Sequence, residues 1–145
     1  GNWYYASQGR LPESVDNAIM LGHVRSIRWT KDGWPLVMPE RYGAVPQAAI
    51  TEEELIGDWE HIDLSYIFGQ QKESSTMTLT DDHKVSEGTW KNSSWSFDAE
   101  NQILTVNGVD LYLQRETDWE AKPRTHTIVY ASYTNNKTYW GKKSK

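Results

Sequence analysis

Residues 21–42 read LGHVRSIRWTKDGWPLVMPERY. In this stretch two runs of alternating apolar and polar residues flank Lys31-Asp32-Gly33, and an Asp-Gly pair between such runs is a strong signal for a β-hairpin. The pattern predicts antiparallel strands over 18–29 and 34–38, and a further short strand over 2–9. Proline and glycine residues then interrupt the pattern between 39 and 49. We therefore divide the chain into a hairpin segment, 1–46, and a second unit, 47–145.

The second unit has the pattern of a small all-β domain. Thr51 and Glu54 have the spacing of a capping box, which predicts a helix of one or two turns that ends at Gly57. Asn107-Gly108 is the strongest short hairpin signal in the chain. Strands are predicted over 58–68, 75–80, 84–90, 94–97, 102–106, 109–113, 125–133 and 137–140. So many short strands joined by tight turns predict an antiparallel meander that closes as a barrel.

Besides its alternation of apolar and polar residues, the hairpin carries sequence motifs that are more specific. Its HVR at 23–25, WTKDGWP at 29–35 and PERY at 39–42 resemble the end of the catalytic propeller in arabinanases of glycoside hydrolase family 43. The preceding QGRLP at 8–12 is similar to the same proteins. Such a hairpin belongs to the last part of the catalytic domain in that family.

The second unit resembles the lipocalin-like barrel that follows the propeller in long arabinanases. The similarity lies in the short helix, the Gly57-x-Trp59 entry to the first strand and the Trp140-Gly141-Lys142 ending. The resemblance therefore implies an all-β fold, an antiparallel lipocalin-like barrel with one short helix, preceded by a β-hairpin segment. We also expect the chain to have been trimmed from a longer protein, since Gly1 stands directly before a strand.

The resemblance implies an accessory role for this chain. Family members hydrolyse arabinan or related chains with inversion, which requires two carboxyl groups about 6.5–9.5 Å apart. The family's catalytic acids lie upstream of the hairpin, so no catalytic residue is assigned here. A calcium ion is possible in the parent catalytic domain, and no cofactor is expected in this chain. The implied partners are that propeller domain and arabinan or a related polysaccharide, in a secreted, periplasmic or cell-surface protein of a bacterium.

Composition excludes several other classes of function. The formal net charge of −5 argues against nucleic acid, which would require a basic face. The absence of cysteine excludes disulfides and thiolate chemistry. No apolar run approaches the about 18 residues of a membrane span. The four histidines have no metal-ligand spacing, so no metal site is predicted.

Aromatic residues offer the one candidate ligand site. The chain has eight Trp and eight Tyr, and flat aromatic faces can stack on sugar rings. Trp90 and Trp95 flank a polar turn, and Tyr66 lies late in the first predicted barrel strand. These three are the carbohydrate-binding candidates, with core packing as the alternative for each. Trp59 is predicted to lie in the core.

Two functions of other classes remain open from the sequence. The chain could be a stand-alone lipocalin-like barrel that binds an apolar small molecule, or a pure protein-interaction module. Large side chains filling the lumen would argue against the first. The hairpin must pack against the barrel or pair with a second copy, because a lone hairpin is marginal in water. We expect the barrel, with Trp29 and Trp34 contributing buried area.

Overall fold

The computed structural model describes residues 1–11, 15–16, 18–65 and 72–144. In these residues it forms β-strands and one 3₁₀ turn, Glu53–Leu55. The strands are β1 Trp3–Arg10, β2 Met20–Trp29, β3 Pro35–Val37, β4 Gly57–Asp63, β5 Ser75–Leu79, β6 Val85–Glu87, β7 Trp95–Asp98, β8 Ile103–Val106, β9 Val109–Asp118, β10 Thr125–Thr134 and β11 Lys137–Lys143. No helical segment of the described residues is long and apolar enough to cross a membrane.

The first three strands form an antiparallel sheet in the order β1-β2-β3, here called the hairpin sheet. Its turn follows the sequence signal. Gly33 has φ of 83°, which favours glycine, and the Thr30 amide donates to the Trp34 carbonyl at 2.9 Å. The Thr30 hydroxyl also donates to Asp32 Oδ1 at 2.6 Å, so side chains close the turn as well as the backbone. The predicted hairpin is confirmed.

The other eight strands form a nearly closed antiparallel barrel in the order β6-β5-β4-β11-β10-β9-β8-β7. A bridge between Lys84 and Ser94 joins its two ends. Asn107 and Gly108 both have positive φ, as the predicted two-residue turn requires. The barrel with a preceding hairpin confirms the predicted fold class.

Several elements differ from their predicted extent. The predicted helix is a single 3₁₀ turn without a side-chain cap, although the Thr51 amide donates to Glu54 Oε2 at 2.9 Å as in a capping box. Strand β6 is shorter than predicted because Gly88, with φ of 98°, turns the chain where a Cβ would lie 2.5 Å from the Thr76 carbonyl oxygen. Strand β9 continues to Asp118 through polar residues that show no alternation.

Among the residues that the structure describes, two apolar clusters hold the molecule together. The larger fills the barrel, and its members include Leu55, Trp59, Met77, Leu79, Val85, Leu104, Leu111, Leu113 and Tyr130. The smaller lies between the hairpin sheet and the outer surface of the barrel, and comprises Leu36, Met38, Ile103, Tyr112, Val129 and Ala131, with Trp140 against it. The hairpin sheet therefore packs on the barrel, as expected from the sequence.

Candidate functional site at the junction of the hairpin sheet and the barrel

Aromatic side chains fill the barrel lumen. The His61 ring lies 4.6 Å from the Trp90 ring and 5.2 Å from the Tyr139 ring, measured between centroids. Its Nδ1 is hydrogen-bonded to the Tyr130 hydroxyl at 2.6 Å. Gly141 makes room for this arrangement, because a Cβ there would lie 2.0 Å from the Tyr130 ring. A lumen occupied in this way argues against a cavity for an apolar ligand.

Burial also determines the charge state of the pair in the lumen. It lowers the pKa of His61, although the charge of Asp63 acts in the opposite direction. It raises the pKa of the Tyr130 hydroxyl. Both shifts favour the neutral form, because a charge in a low-dielectric interior loses its hydration. The imidazole and the phenol therefore serve as a neutral hydrogen-bonded pair in the core.

The structure places two of the sugar-binding candidates in the core. Trp90 packs edge-to-face against Tyr139, with centroids 5.1 Å apart, and is 9% exposed. Trp95 is 4% exposed, and its indole nitrogen donates to the Thr80 carbonyl at 3.0 Å. Both side chains therefore pack in the core, which was the alternative stated for each of them. Tyr66 lies outside the described residues.

The junction of the hairpin sheet and the barrel is apolar at its centre and polar at its edge. Leu36 is 3% exposed and Met38 is fully buried, both against the outer barrel surface. The Trp140 indole donates to the Val37 carbonyl at 2.9 Å. Arg28 donates to the carbonyl oxygens of Leu113 and Asn101. The hairpin sheet is thus fixed to the barrel along β3 by apolar contacts and by these hydrogen bonds.

Tryptophan contributes less to this junction than we expected from the sequence. Trp29 is 44% exposed and packs edge-to-face on Trp3, at 5.8 Å, rather than on the barrel. Trp34 does reach the barrel, where it stacks on Tyr133, but more than half of it is exposed. The alternation explains Trp29, because it lies on the opposite side of the sheet from Leu36.

A mostly buried lysine joins the segment after β3 to the barrel. Lys142 Nζ lies 3.3 Å from Glu40, 3.2 Å from Asp118 and 2.6 Å from Glu120. Burial lowers the pKa of Lys142, but the hydrogen bond to Glu120 and the charge of Glu40 reverse this effect and raise it overall. The three carboxylates lie close enough together to hold a metal ion. Since the ammonium group already lies among them, Lys142 supplies the positive charge there.

The linker between the two units is held by β9. The Gly43 amide donates at 2.8 Å to Glu116, a carboxylate that is only 1% exposed. Any larger residue than glycine would collide at this point, because a Cβ on Gly43 would lie 2.2 Å from Thr117 Oγ1. Nearby, the Trp119 ring is contacted by the guanidinium groups of Arg41 and Arg124, at 4.9 and 4.7 Å. These contacts fix the path of the chain into the barrel.

Away from the barrel, the hairpin sheet exposes apolar side chains on both sides. Residues opposite each other in β1 and β2 share a side, which assigns the side chains to faces. One side, here called the aromatic face, carries the exposed residues Trp3, Tyr5, Leu21 and Trp29. The other carries Tyr4, Met20 and Val24. Exposed apolar patches of this kind mark interaction surfaces.

A groove of about 610 Å³ lies where the hairpin sheet meets the barrel end. Trp3, Trp29 and Tyr42 line it together with barrel residues, including Gln102. The Gln102 side chain is already hydrogen-bonded to both backbone groups of Ile50, at 2.7 and 3.1 Å. Trp3 and Trp29 also belong to the aromatic face, so the groove borders that face.

These features define a small lipocalin-like barrel that carries an anchored, partly uncovered three-stranded sheet. The family model GH43_C, described as a C-terminal lipocalin-like domain, matches residues 39–141. The chain therefore belongs to this family, which confirms the prediction from the sequence. A comparison with curated proteins gives no match.

Solved structures show the same fold. The glycoside hydrolase family 43 YxiA protein from Bacillus licheniformis matches the whole chain with a TM-score of 0.80 at 23% identity. The endo-1,5-alpha-L-arabinanase from Thermotoga petrophila RKU-1 matches it with a TM-score of 0.76 at 17% identity. In both cases this chain spans 33% of the other protein's length. The match includes the hairpin sheet as well as the barrel, since it covers 100% of this chain.

Proposed function

We propose that this chain is the non-catalytic C-terminal part of a longer family 43 glycoside hydrolase, and that it stabilises the catalytic domain. The observation that carries the proposal is the hairpin sheet, which is anchored on the barrel along β3 but exposes apolar side chains on both sides of β1 and β2. In a β-propeller each blade is a small sheet packed radially against its neighbours. A sheet that exposes apolar side chains on both sides fits that position.

The occupant of these faces is the domain that precedes the hairpin sheet in the longer protein. Two observations support this choice. The family match begins at Pro39, after β3, so the hairpin sheet lies before the family's domain. The solved relatives are also about three times as long as this chain.

The barrel has a mechanical role in this proposal. Its outer surface holds β3 through buried apolar contacts, and Lys142 holds Glu40 beyond the end of that strand. An anchored edge keeps the sheet in one conformation before the catalytic domain packs on it, which lowers the entropy cost of that packing. In this proposal the catalytic domain binds arabinan or a related plant polysaccharide, and any calcium ion. The whole protein then works outside the bacterial cytoplasm.

Leu21→Glu tests the docking of the aromatic face. Leu21 is 45% exposed, so in this chain alone the substitution should change the free energy of unfolding by less than about 0.5 kcal/mol. In the longer gene product, the same carboxylate would be buried without a partner and should cost several kcal/mol, on the order of 3. Thermal unfolding of both proteins measures the difference.

Ser86→Glu is the matched control, because Ser86 is exposed on barrel strand β6. It should leave both proteins unchanged. Equal stability of the Leu21→Glu and Ser86→Glu forms of the longer protein would overturn the docking proposal. So would a reading frame upstream of Gly1 that encodes no catalytic domain.

A further inference from the structure

We propose that Trp34 and Tyr133 form a binding platform for a neutral sugar chain. Their rings are stacked, with centroids 5.3 Å apart and an angle of 16° between planes. Trp34 is 52% exposed and Tyr133 is 40% exposed. Because the rings are stacked, Tyr133 covers one face of the Trp34 indole and supports it, and the other face offers a flat apolar surface with a polar edge, which is the shape that the C–H face of a sugar ring fits.

Both rings are held in place by the backbone that carries them. Trp34 closes the hairpin turn with Thr30, and the adjacent Lys31 amide donates to the Tyr112 hydroxyl at 3.1 Å. The Tyr133 hydroxyl donates to Asn136 Oδ1 at 3.1 Å, across the turn between β10 and β11. The platform is thus preorganised, which reduces the entropy cost of binding.

An alternative is that the Trp34–Tyr133 pair serves only to attach the hairpin turn, residues 30–34, to the barrel. Other contacts of the same turn weaken this alternative. The hairpin turn also contacts the barrel apart from the two rings, because Lys31 Nζ lies 3.6 Å from Asp110 and the Lys31 amide donates to the Tyr112 hydroxyl. The Trp34 indole nitrogen makes no hydrogen bond within the described part of the chain, so it remains a donor for a sugar hydroxyl. The Trp34 side chain is thus half exposed and has a free N–H donor, which fits a binding role as well as an anchoring one.

The size of the platform favours a sugar over a protein. An aromatic side chain buries about 150–250 Å² at most. Two half-exposed rings therefore fall well short of the roughly 1,200 Å² of a stable protein interface. Lys31 and Asp110 beside the tip also pair with each other, so the rim adds no net charge that would select a charged ligand. A single neutral sugar chain fits these limits.

The platform is separate from the proposed docking surface. By alternation Trp34 lies on the same side of the sheet as Leu36, toward the barrel, whereas Trp3 and Trp29 lie on the aromatic face. The choice of arabinan as the sugar rests on the proposed function. Docking of the hairpin sheet on a catalytic domain is measured on the longer protein, however, whereas sugar binding is measured on this chain. Either proposal can therefore fail alone.

Indole N–H signals in a titration with linear α-1,5-arabino-oligosaccharides test the platform, because each tryptophan gives its own signal. The Trp34 signal should shift, with a dissociation constant of about 1 mM, while the signals of Trp3 and Trp29 stay unchanged. Trp34→Ala and Tyr133→Ala should each weaken binding about tenfold, measured by calorimetry. Trp34→Phe keeps a stacking ring and should recover part of the affinity.

Trp3→Ala is the matched control, since it removes a tryptophan of similar exposure from the aromatic face. It should bind the sugar as well as the unchanged chain does. Thermal unfolding of each variant shows that it is folded. The proposal is overturned if no indole signal shifts at a sugar concentration of about 10 mM, ten times the expected dissociation constant. It is also overturned if Trp3→Ala loses binding while Trp34→Ala keeps it.

Discussion

The indole nitrogen of Trp140, on barrel strand β11, donates a 2.9 Å hydrogen bond to the carbonyl oxygen of Val37 on β3. The two residues are 103 positions apart in the chain. The bond lies beside buried Leu36 and Met38, so polar and apolar contacts act together at one edge of the hairpin sheet. Through this edge the barrel and the hairpin sheet should unfold as one unit.

Leu36→Ala tests that coupling. Leu36 is buried between the two units, so the substitution leaves a cavity and should lower the free energy of unfolding by about 2–4 kcal/mol. Val24→Ala, at an exposed position of the same sheet, should cost less than about 0.5 kcal/mol. Urea unfolding followed by circular dichroism measures both. If Leu36→Ala unfolds at the same urea concentration as Val24→Ala, the hairpin sheet does not stabilise the barrel.

Lys142→Met tests the charged contact beyond β3. The substitution leaves Glu40, Asp118 and Glu120 close together without the ammonium group, and should lower the free energy of unfolding by about 3 kcal/mol. Lys137→Met is the control, because that lysine is exposed and lies 3.8 Å from Asp63. It should cost less than about 1 kcal/mol. Thermal unfolding that shows similar losses for both variants would contradict the assigned role of Lys142.

The pH dependence of stability should report on His61. Burial lowers its pKa in the folded state, so below the ordinary value of about 6.5 the unfolded chain binds more protons than the folded one. Stability contributed by neutral His61 is therefore present above about pH 6.5 and is lost as the pH falls below it, by up to about 1.4 kcal/mol per pH unit.

His61→Gln should reduce this slope between pH 5 and 7, a range in which most carboxyl groups do not titrate. Urea unfolding at several pH values gives the comparison. An unchanged slope in His61→Gln would mean that His61 is not the group responsible.

The sequence predicted the turns correctly, because a turn depends on the conformational preferences of the few residues that form it. The turns at Gly33 and at Asn107-Gly108 follow from residues that tolerate positive φ, and they set the register of their hairpins. The end of β9 was missed because Arg115 and Glu116 break the alternation. Glu116 is nevertheless buried, since the linker amide of Gly43 supplies its hydrogen bond. A contact with so distant a segment leaves no local pattern.

The candidate site was less predictable for the same reason. The polar turn between Trp90 and Trp95 left both sugar binding and core packing open, and both side chains lie in the barrel core. Trp34 and Tyr133 are far apart in the chain and meet only when the hairpin sheet packs on β10. Their stacking depends on tertiary structure, which residue spacing alone does not reveal.

Activity is predicted to be absent from this chain by itself. It should release no reducing sugar from linear or branched arabinan, with or without calcium, because the family's catalytic acids were not found among its residues. A reducing-sugar assay over several hours tests this. Steady release by a preparation free of contaminating enzyme would contradict the accessory role, whereas activity in the longer gene product is expected.

Side-chain oxidation by hydroxyl radicals tests the central proposal most directly, because it measures the exposure of individual residues. In this chain alone, Trp3 and Trp29 should be oxidised readily and Trp59 should be protected. In the longer gene product, Trp3 and Trp29 should be protected too, while Trp34 and Tyr133 react equally in both proteins. Equal oxidation of Trp3 and Trp29 in the two proteins would contradict docking of the hairpin sheet on a catalytic domain.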